Sequence, residues 1–292
     1  MSIFSKLFSR PSKSTKAKVD LDRRFEKQHK LGKGTMSQVW QAIDRTTGQP
    51  VALKILDLEK TAAFERRFVK VGPKPTEGQV SLSFNHPRIV KTLSHGVATT
   101  GEQFLVQELL HGQNLATYID RRSDVLVQNR LEWMIQVGQG MTYFHSRQFI
   151  HRDLCPPNIF ITDQLEVKLI DFGLVVPNTP PFQAPGNRTG KVNYMAPELL
   201  KRLKTDQRID VFSFAVTCYQ MCSGKFPWPS GNTLDEVQSH FSNPPTDLRE
   251  IAPDVGKRLT TVIMRGLDAN PTQRWQSINQ MTAFLEDCRG EG

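Results

Sequence analysis

His151-Arg152-Asp153-Leu154-Cys155-Pro156-Pro157-Asn158, followed downstream by Asp171-Phe172-Gly173, is the stretch on which the reading of this chain turns. It sets an aspartate, an asparagine and a second aspartate at successive offsets of five and thirteen residues. The short apolar runs Asn158-Ile159-Phe160-Ile161 and Val167-Lys168-Leu169-Ile170 predict two strands joined by a turn around Asp163 and Gln164. Such a hairpin would carry Asn158 at its start and Asp171 at its end, so both could face one metal site. An aspartate that orients a hydroxyl and accepts its proton, beside two oxygen ligands for magnesium, is a donor set suited to phosphoryl transfer. Magnesium takes few protein ligands because it keeps waters and phosphate oxygens around it.

The 292 residues are enough for one large domain or two lobes with a substantial core. No apolar run approaches the roughly eighteen residues a transmembrane span needs, and the N-terminus has no signal-peptide core. Cys155, Cys218, Cys222 and Cys288 form neither a CxxC pair nor a metal-binding spacing, which fits a reducing, cytoplasmic setting. Cys218 and Cys222 lie four apart in an apolar helical stretch and read as buried thiols.

The net charge of +9 is unevenly spread. Lys6, Arg10, Lys13, Lys16 and Lys18 place +5 in the first eighteen residues, which hold no acid, and leave +4 for the rest. With no nucleic-acid-binding motif present, nucleic acid is set aside as a partner. Residues 1–22 read as a basic flexible tail. Ile3, Phe4, Leu7 and Phe8 recur at helical spacing, so residues 1–18 are open to two readings: a solvated tail, or a short helix on an anionic membrane surface. The second would place the protein at the inner face of the membrane. Ser2 excludes a myristoyl anchor.

Two further motifs precede the opening stretch. Leu31-Gly32-Lys33-Gly34-Thr35-Met36-Ser37-Gln38-Val39-Trp40 reads as a glycine-rich hairpin whose backbone can approach phosphates closely, and Val51-Ala52-Leu53-Lys54 reads as a strand ending in a lysine. In register with Asp153, Asn158 and Asp171, these motifs resemble the eukaryotic-like protein kinase family, over roughly residues 25 to 288. Met36 and the stretch from Pro244 to Asp254 resemble the bacterial Ser/Thr branch.

The resemblance implies a bilobal α+β fold. A small antiparallel β-sheet lobe (23–111) would precede a mainly helical lobe (112–292), with ATP in the cleft between them. It implies ATP and Mg²⁺ as cofactors and protein substrates as partners. Leu31, Gly32, Lys33, Gly34 and Val39 would cover the nucleotide, and Lys54 would hold its phosphates. Glu108 and Leu110 would offer backbone groups to the adenine edge, behind which Gln107 would stand. Ala52 and Phe160 would face the base, although plain core packing suits them equally. Asp153 would be the catalytic base, with Asn158 and Asp171 on the metal.

The carboxylate partner of Lys54, counted back nine residues from His86-Pro87, is Glu77. Gly72, Pro73, Pro75 and Gly78 crowd that position, so the helix is expected to begin near Thr76 or to be split, with 62–71 as an earlier turn. Glu65 is the alternative partner, and a merely exposed Glu77 is the third reading.

Two departures stand out. Cys155 sits where Ser/Thr kinases usually carry a lysine directed at the γ-phosphate, and Lys191 sits where a threonine commonly meets the catalytic aspartate. Either Lys191 replaces the missing charge or it is a solvated surface lysine. Cys155 is either a reactive thiol or a packed one. Arg152 suggests phosphate recognition on the activation segment, with Thr189 the preferred acceptor and constitutive activity the alternative. Asp210 is expected to brace the catalytic loop, and Arg274 to pair with Glu198 of the segment Tyr194-to-Glu198. The chain's end at 292 leaves no room, on this reading, for a sensor or second domain. An active Ser/Thr protein kinase capable of autophosphorylation is the first reading. An ATP-binding scaffold that docks partners and a small-molecule phosphotransferase are the alternatives.

Overall fold

The fold is bilobal and α+β, described here from a computed structural model over residues 17–34, 36–72, 74–186, 188–231, 233, 236 and 243–290. The basic head, residues 1–16, lies outside the described residues, and with it the expected membrane helix. The chain divides into two compact units. One holds the described residues up to His86 together with Val90–His111; the other holds Pro87–Ile89 and the chain from Gly112 onward.

The first unit is built on a five-stranded antiparallel sheet in the order β1-β2-β3-β5-β4. A capped turn, α1 (Leu21–Arg24), leads into β1 (Phe25–Lys33), β2 (Ser37–Asp44) and β3 (Gln49–Leu56). Two short helices follow, α2 (Leu58–Arg66) and α3 (Glu77–Leu82), then β4 (Thr92–Val97) and β5 (Gln103–Glu108). Leu21, Phe25, Ala42, Val51, Leu53, Ala98, Phe104 and Val106 form the core, with Phe25 and Phe104 edge to face at 6.0 Å. The expected tail boundary at residue 22 is too late. Leu21 is buried in this core, and Val19 donates its N–H to Val97 O at 2.9 Å. The apolar residues Val19 and Leu21 cover the end of the sheet, so the lysine-rich composition stops mattering before them.

The helix expected around Glu77 is split. Asp57 caps α2 by accepting from Lys60 N, and Phe64 and Phe68 are its buried anchors. The first piece therefore starts at Leu58, not near residue 62, because the cap and Phe64 fix it earlier. The chain unwinds through Gly72 and restarts at Thr76.

The second unit is mainly helical. It carries β6 (Gly112–Asn114), α4 (Leu115–Asp120), the 23-residue α5 (Asp124–Ser146) and β7 (Phe149–Ile150). The chain continues through a 3₁₀ turn (Pro156–Asn158), β8 (Ile159–Thr162), β9 (Val167–Leu169) and β10 (Val176–Pro177). The hairpin read from the sequence is β8–β9, with Ile159 opposite Leu169. Among the later helices, α6 (Pro180–Gln183) and α7 (Pro197–Leu200) are single turns, whereas α8 (Arg208–Ser223) is buried on all sides from Ile209 to Met221. A helix apolar all round belongs in a core. The helices α9 (Leu248–Ile251), α10 (Lys257–Gly266) and α11 (Ile278–Glu286) follow, and α11 packs on α5. No helix among the described residues is long and apolar enough to cross a membrane.

Candidate active site

In the first unit Lys54 lies on β3 opposite Val39 of β2 and Leu105 of β5, and it is buried. Its Nζ donates to Glu77 Oε1 at 2.5 Å. Glu77 is the first residue of α3, and its position follows from the helix start. Thr76 accepts from Gln79 N while Gln79's side chain accepts from Thr76 N, a capping box that fixes where the helix begins. Gly78 then lets α3 lie on β4, since a Cβ there would stand 2.6 Å from His95 Cγ. Glu65, the alternative partner, accepts from Gln103 Nε2 at 3.0 Å instead.

Around this pair, Gly32 lies opposite Val39 and Lys33 opposite Gln38, and the N–H of Gly34 donates to Ser37 O at 2.9 Å. Leu31 is exposed and Ser37 is buried. Ala52 is buried opposite Gln107, whose Nε2 donates to Thr92 Oγ1 at 3.4 Å. Glu108 uses its N–H on Lys91 O, and Leu110 is half-buried. Phe160, half-buried on β8, belongs to the other unit.

In the second unit the backbone at His151 and Arg152 is hung from Asp210 of α8. Its Oδ2 accepts from His151 N at 2.8 Å and its Oδ1 from Arg152 N at 2.9 Å, and His145 Nε2 lies 2.8 Å from Oδ2. Burial works to raise the Asp210 carboxyl, yet the His145 contact and the backbone donors hold it below its ordinary 3.8. His145, at the end of α5, escaped the sequence reading because a histidine in an apolar helix carries no signal of its partner.

Arg152 turns the loop with a φ of 68°. Asp153 follows, and its Oδ2 accepts from Asn158 Nδ2 at 2.8 Å and from Lys191 Nζ at 3.1 Å. Asn158 Nδ2 also donates to Asp153 O at 2.7 Å. Asp153 Oδ1 is buried and accepts nothing among the described residues. Ile170 N–H donates to Asn158 O at 3.0 Å, which ties Asn158 to the start of the Asp171-Phe172-Gly173 turn. There Asp171, with a φ of 67°, accepts from Gly173 N at 3.2 Å.

A family model for the protein kinase domain matches residues 25–284. The chain belongs to that family. It is 30% identical over 271 residues to the serine/threonine-protein kinase PknA of Mycobacterium tuberculosis, covering 90% of this chain and 61% of the relative. It is 28% identical to PknB of Mycolicibacterium smegmatis (91% of this chain, 43% of the relative). It is 26% identical to a probable serine/threonine-protein kinase of Streptomyces coelicolor (92% and 40%). The chain thus spans from about four- to six-tenths of the length of these relatives. Membership implies ATP as the phosphoryl donor and, typically, magnesium.

Within this kinase domain Lys191 is exposed over 44% of its side chain and ion-paired with Asp153. Its Nζ lies 3.0 Å from Cys155 Sγ as well as on Asp153. Burial would lower its pKa, but the contacts with Cys155 and Asp153 outweigh that and raise it, so it is an ammonium at neutral pH. What brings it there is Gly190, whose φ is 126° and whose absent Cβ would stand 2.5 Å from Arg152 O. The activation segment can press against the catalytic loop only with glycine at that point.

Cys155 is buried, and burial first, with Asp153 adding, pushes its thiol up to about 12. The reactive-thiol reading is thereby corrected, because the thiolate is the nucleophile. Arg152 is also buried, which pulls its guanidinium down to about 10, and its Nη2 donates to Phe182 O at 2.7 Å. The Thr189 hydroxyl is buried without a partner among the described residues. Arg274 holds Glu198 through two bonds of 2.7 Å, both residues buried.

Proposed function

We propose that this chain is an active protein kinase domain that transfers the γ-phosphoryl group of ATP to Ser or Thr hydroxyls of proteins, itself included. The observation that carries the reading is the state of Asp153. One carboxylate oxygen is held by Asn158 and Lys191, and the other is buried and accepts nothing among the described residues. A buried carboxylate oxygen without a donor is costly unless a ligand supplies one. A substrate hydroxyl donating to Oδ1 would meet that need and pass its proton there as its oxygen bonds the γ-phosphorus and the bond from that phosphorus to the β–γ bridging oxygen breaks, releasing ADP.

The residues present fit magnesium. Asn158 uses its NH₂ on Asp153, which leaves its amide oxygen as the donor to a cation, and Asp171 supplies a carboxylate. Among the described residues no cluster of three His, Cys, Asp or Glu could hold a metal by itself. Magnesium keeps waters and phosphate oxygens around it, so two protein oxygens would be enough to hold it. When bound, the metal neutralises those oxygens. Lys54, fixed by Glu77, would bind phosphate. Leu31, Gly32, Lys33, Gly34, Val39, Ala52, Glu108, Leu110 and Phe160 would serve the nucleotide. Lys191 would supply the positive charge that Cys155 lacks. The Lys54–Glu77 pair supports the active reading over an ATP-binding scaffold. Lys191→Ala is expected to lower kcat about 10²-fold and Lys191→Arg to recover part of it. Unchanged turnover in Lys191→Ala, with Asp153→Ala inactive, would remove Lys191 from the chemistry.

A cytoplasmic location, with residues 1–18 on an anionic membrane face, completes the proposal. Co-sedimentation with phosphatidylserine vesicles that is lost on deleting residues 1–18 tests it. Equal sedimentation of both forms would count against it.

A further inference from the structure

Lys191 reaches Asp153 from the start of a short 3₁₀ turn, Val192–Tyr194, and that turn is held at three points. It is entered from Gly190, which lies against Arg152 O. It ends at Tyr194, whose carbonyl accepts from Ser213 Oγ at 2.8 Å and whose hydroxyl donates to Gln220 Oε1 at 2.5 Å. The Tyr194 ring meets Phe226 edge to face at 5.4 Å. Ser213 and Gln220 belong to α8, the helix whose Asp210 accepts from His151 N and Arg152 N. One helix therefore carries both the backbone that precedes Asp153 and the turn that carries Lys191.

The third point is Asn193, in the middle of the turn. Its Nδ2 donates to Gly231 O and its Oδ1 accepts from Gly231 N, both at 3.0 Å. A side-chain amide that exchanges two bonds with one residue's backbone acts as a rung of an antiparallel ladder. The rung also fixes its own orientation, since a reversed amide would set donor against donor and acceptor against acceptor. Gly231 is buried, so water does not readily replace what Asn193 supplies. Tyr194 N–H donates to Lys191 O at 3.0 Å, so a shift of the turn passes directly to Lys191. The Lys191 side chain is itself partly exposed, and its placement at Asp153 depends on the backbone beneath it.

We propose that Asn193 is a positioning residue: its clamp on Gly231 holds the turn from which Lys191 reaches Asp153 and Cys155. The proposal rests on the role given to Lys191 above.

The test uses the full chain and a Ser/Thr peptide, with Asn193→Ala and the near-isosteric Asn193→Asp. The aspartate variant fills the same space but loses the donor to Gly231 O and sets a carboxylate against that carbonyl. Both variants are expected to lower kcat about tenfold while the KM for ATP stays unchanged. In a Lys191→Ala background the same substitutions are expected to change kcat by less than about twofold, because the group they position is gone. An equal loss in both backgrounds, or wild-type turnover in Asn193→Asp, would overturn the proposal. Lys191 is also read without turnover, by the rate at which acetic anhydride acylates it relative to exposed Lys204, mapped by peptide mass spectrometry. An ammonium held against a carboxylate acylates slowly, so this ratio is expected to rise several-fold in both variants. If the protein transfers no phosphate the kinase reading fails, and the clamp is judged by the ratio alone. A rise would support it, and an unchanged ratio would overturn it.

Discussion

At the scale of single residues, Cys155 and Lys191 exchange the roles their surroundings would suggest. The thiol sits in a catalytic loop yet is buried and held protonated, while an ammonium reaches in from the activation segment to touch both the thiol and Asp153. Thiol labelling of the native protein near pH 7.5 is therefore expected to spare Cys155 and to mark it only after unfolding, as read by peptide mass spectrometry. Rapid native labelling would contradict its burial. Asp210 gives a second residue-scale outcome. Its folded pKa lies below 3.8, so the stability it contributes is present above about pH 4 and lost as pH falls through the folded value. Asp210→Ala, which leaves His151 N and Arg152 N without an acceptor, is expected to cost about 3–5 kcal/mol at neutral pH, measured by urea unfolding. Asp153, Asn158 and Asp171 were legible because their spacing on a loop and hairpin admits few chemistries. His145 was not, because its meaning depends on the Asp210 carboxylate, 65 residues away in sequence, that it lies against.

Among elements, the short helix α3 decides whether Lys54 has a counter-charge. Its start is local physics: Thr76 and Gln79 form the capping box, so Glu77 falls in the first turn. Thr76→Ala is expected to cost about 1 kcal/mol and to raise the KM for ATP. The close seat on β4 depends on Gly78, and Gly78→Ala, whose Cβ would collide with the His95 ring, is expected to cost about 1–3 kcal/mol and to displace Glu77. Activity should drop further than stability in that variant. Wild-type turnover in Gly78→Ala would show that α3 has more room than its packing suggests. The glycines and prolines of residues 72–78 announced the break in the helix. They could not fix its first half, because Asp57 and Phe64 act through a cap and a buried ring that turn-forming residues do not reveal.

For the molecule as a whole, each unit holds its own set of polar contacts: Lys54 with Glu77 in one, Asp153 with Asn158 and Lys191 in the other. The second unit is held by Arg274 and Glu198, 76 residues apart in sequence. Arg274→Ala strands a buried carboxylate and is expected to destabilise by about 3–5 kcal/mol, with a matching fall in Tm. The family resemblance made the two-part architecture and this ion pair readable from the sequence. The edge of the tail was not readable, because two apolar residues within a basic stretch, Val19 and Leu21, declare their burial only beside Ala98 and Phe25. The most direct test of phosphoryl transfer is incorporation of label from γ-labelled ATP and Mg²⁺ into the protein and into a Ser/Thr peptide, with Asp171→Asn assayed alongside. Incorporation by the wild type on Ser or Thr, abolished in Asp171→Asn, is the expected result. A wild-type protein that binds ATP but transfers no phosphate would contradict it.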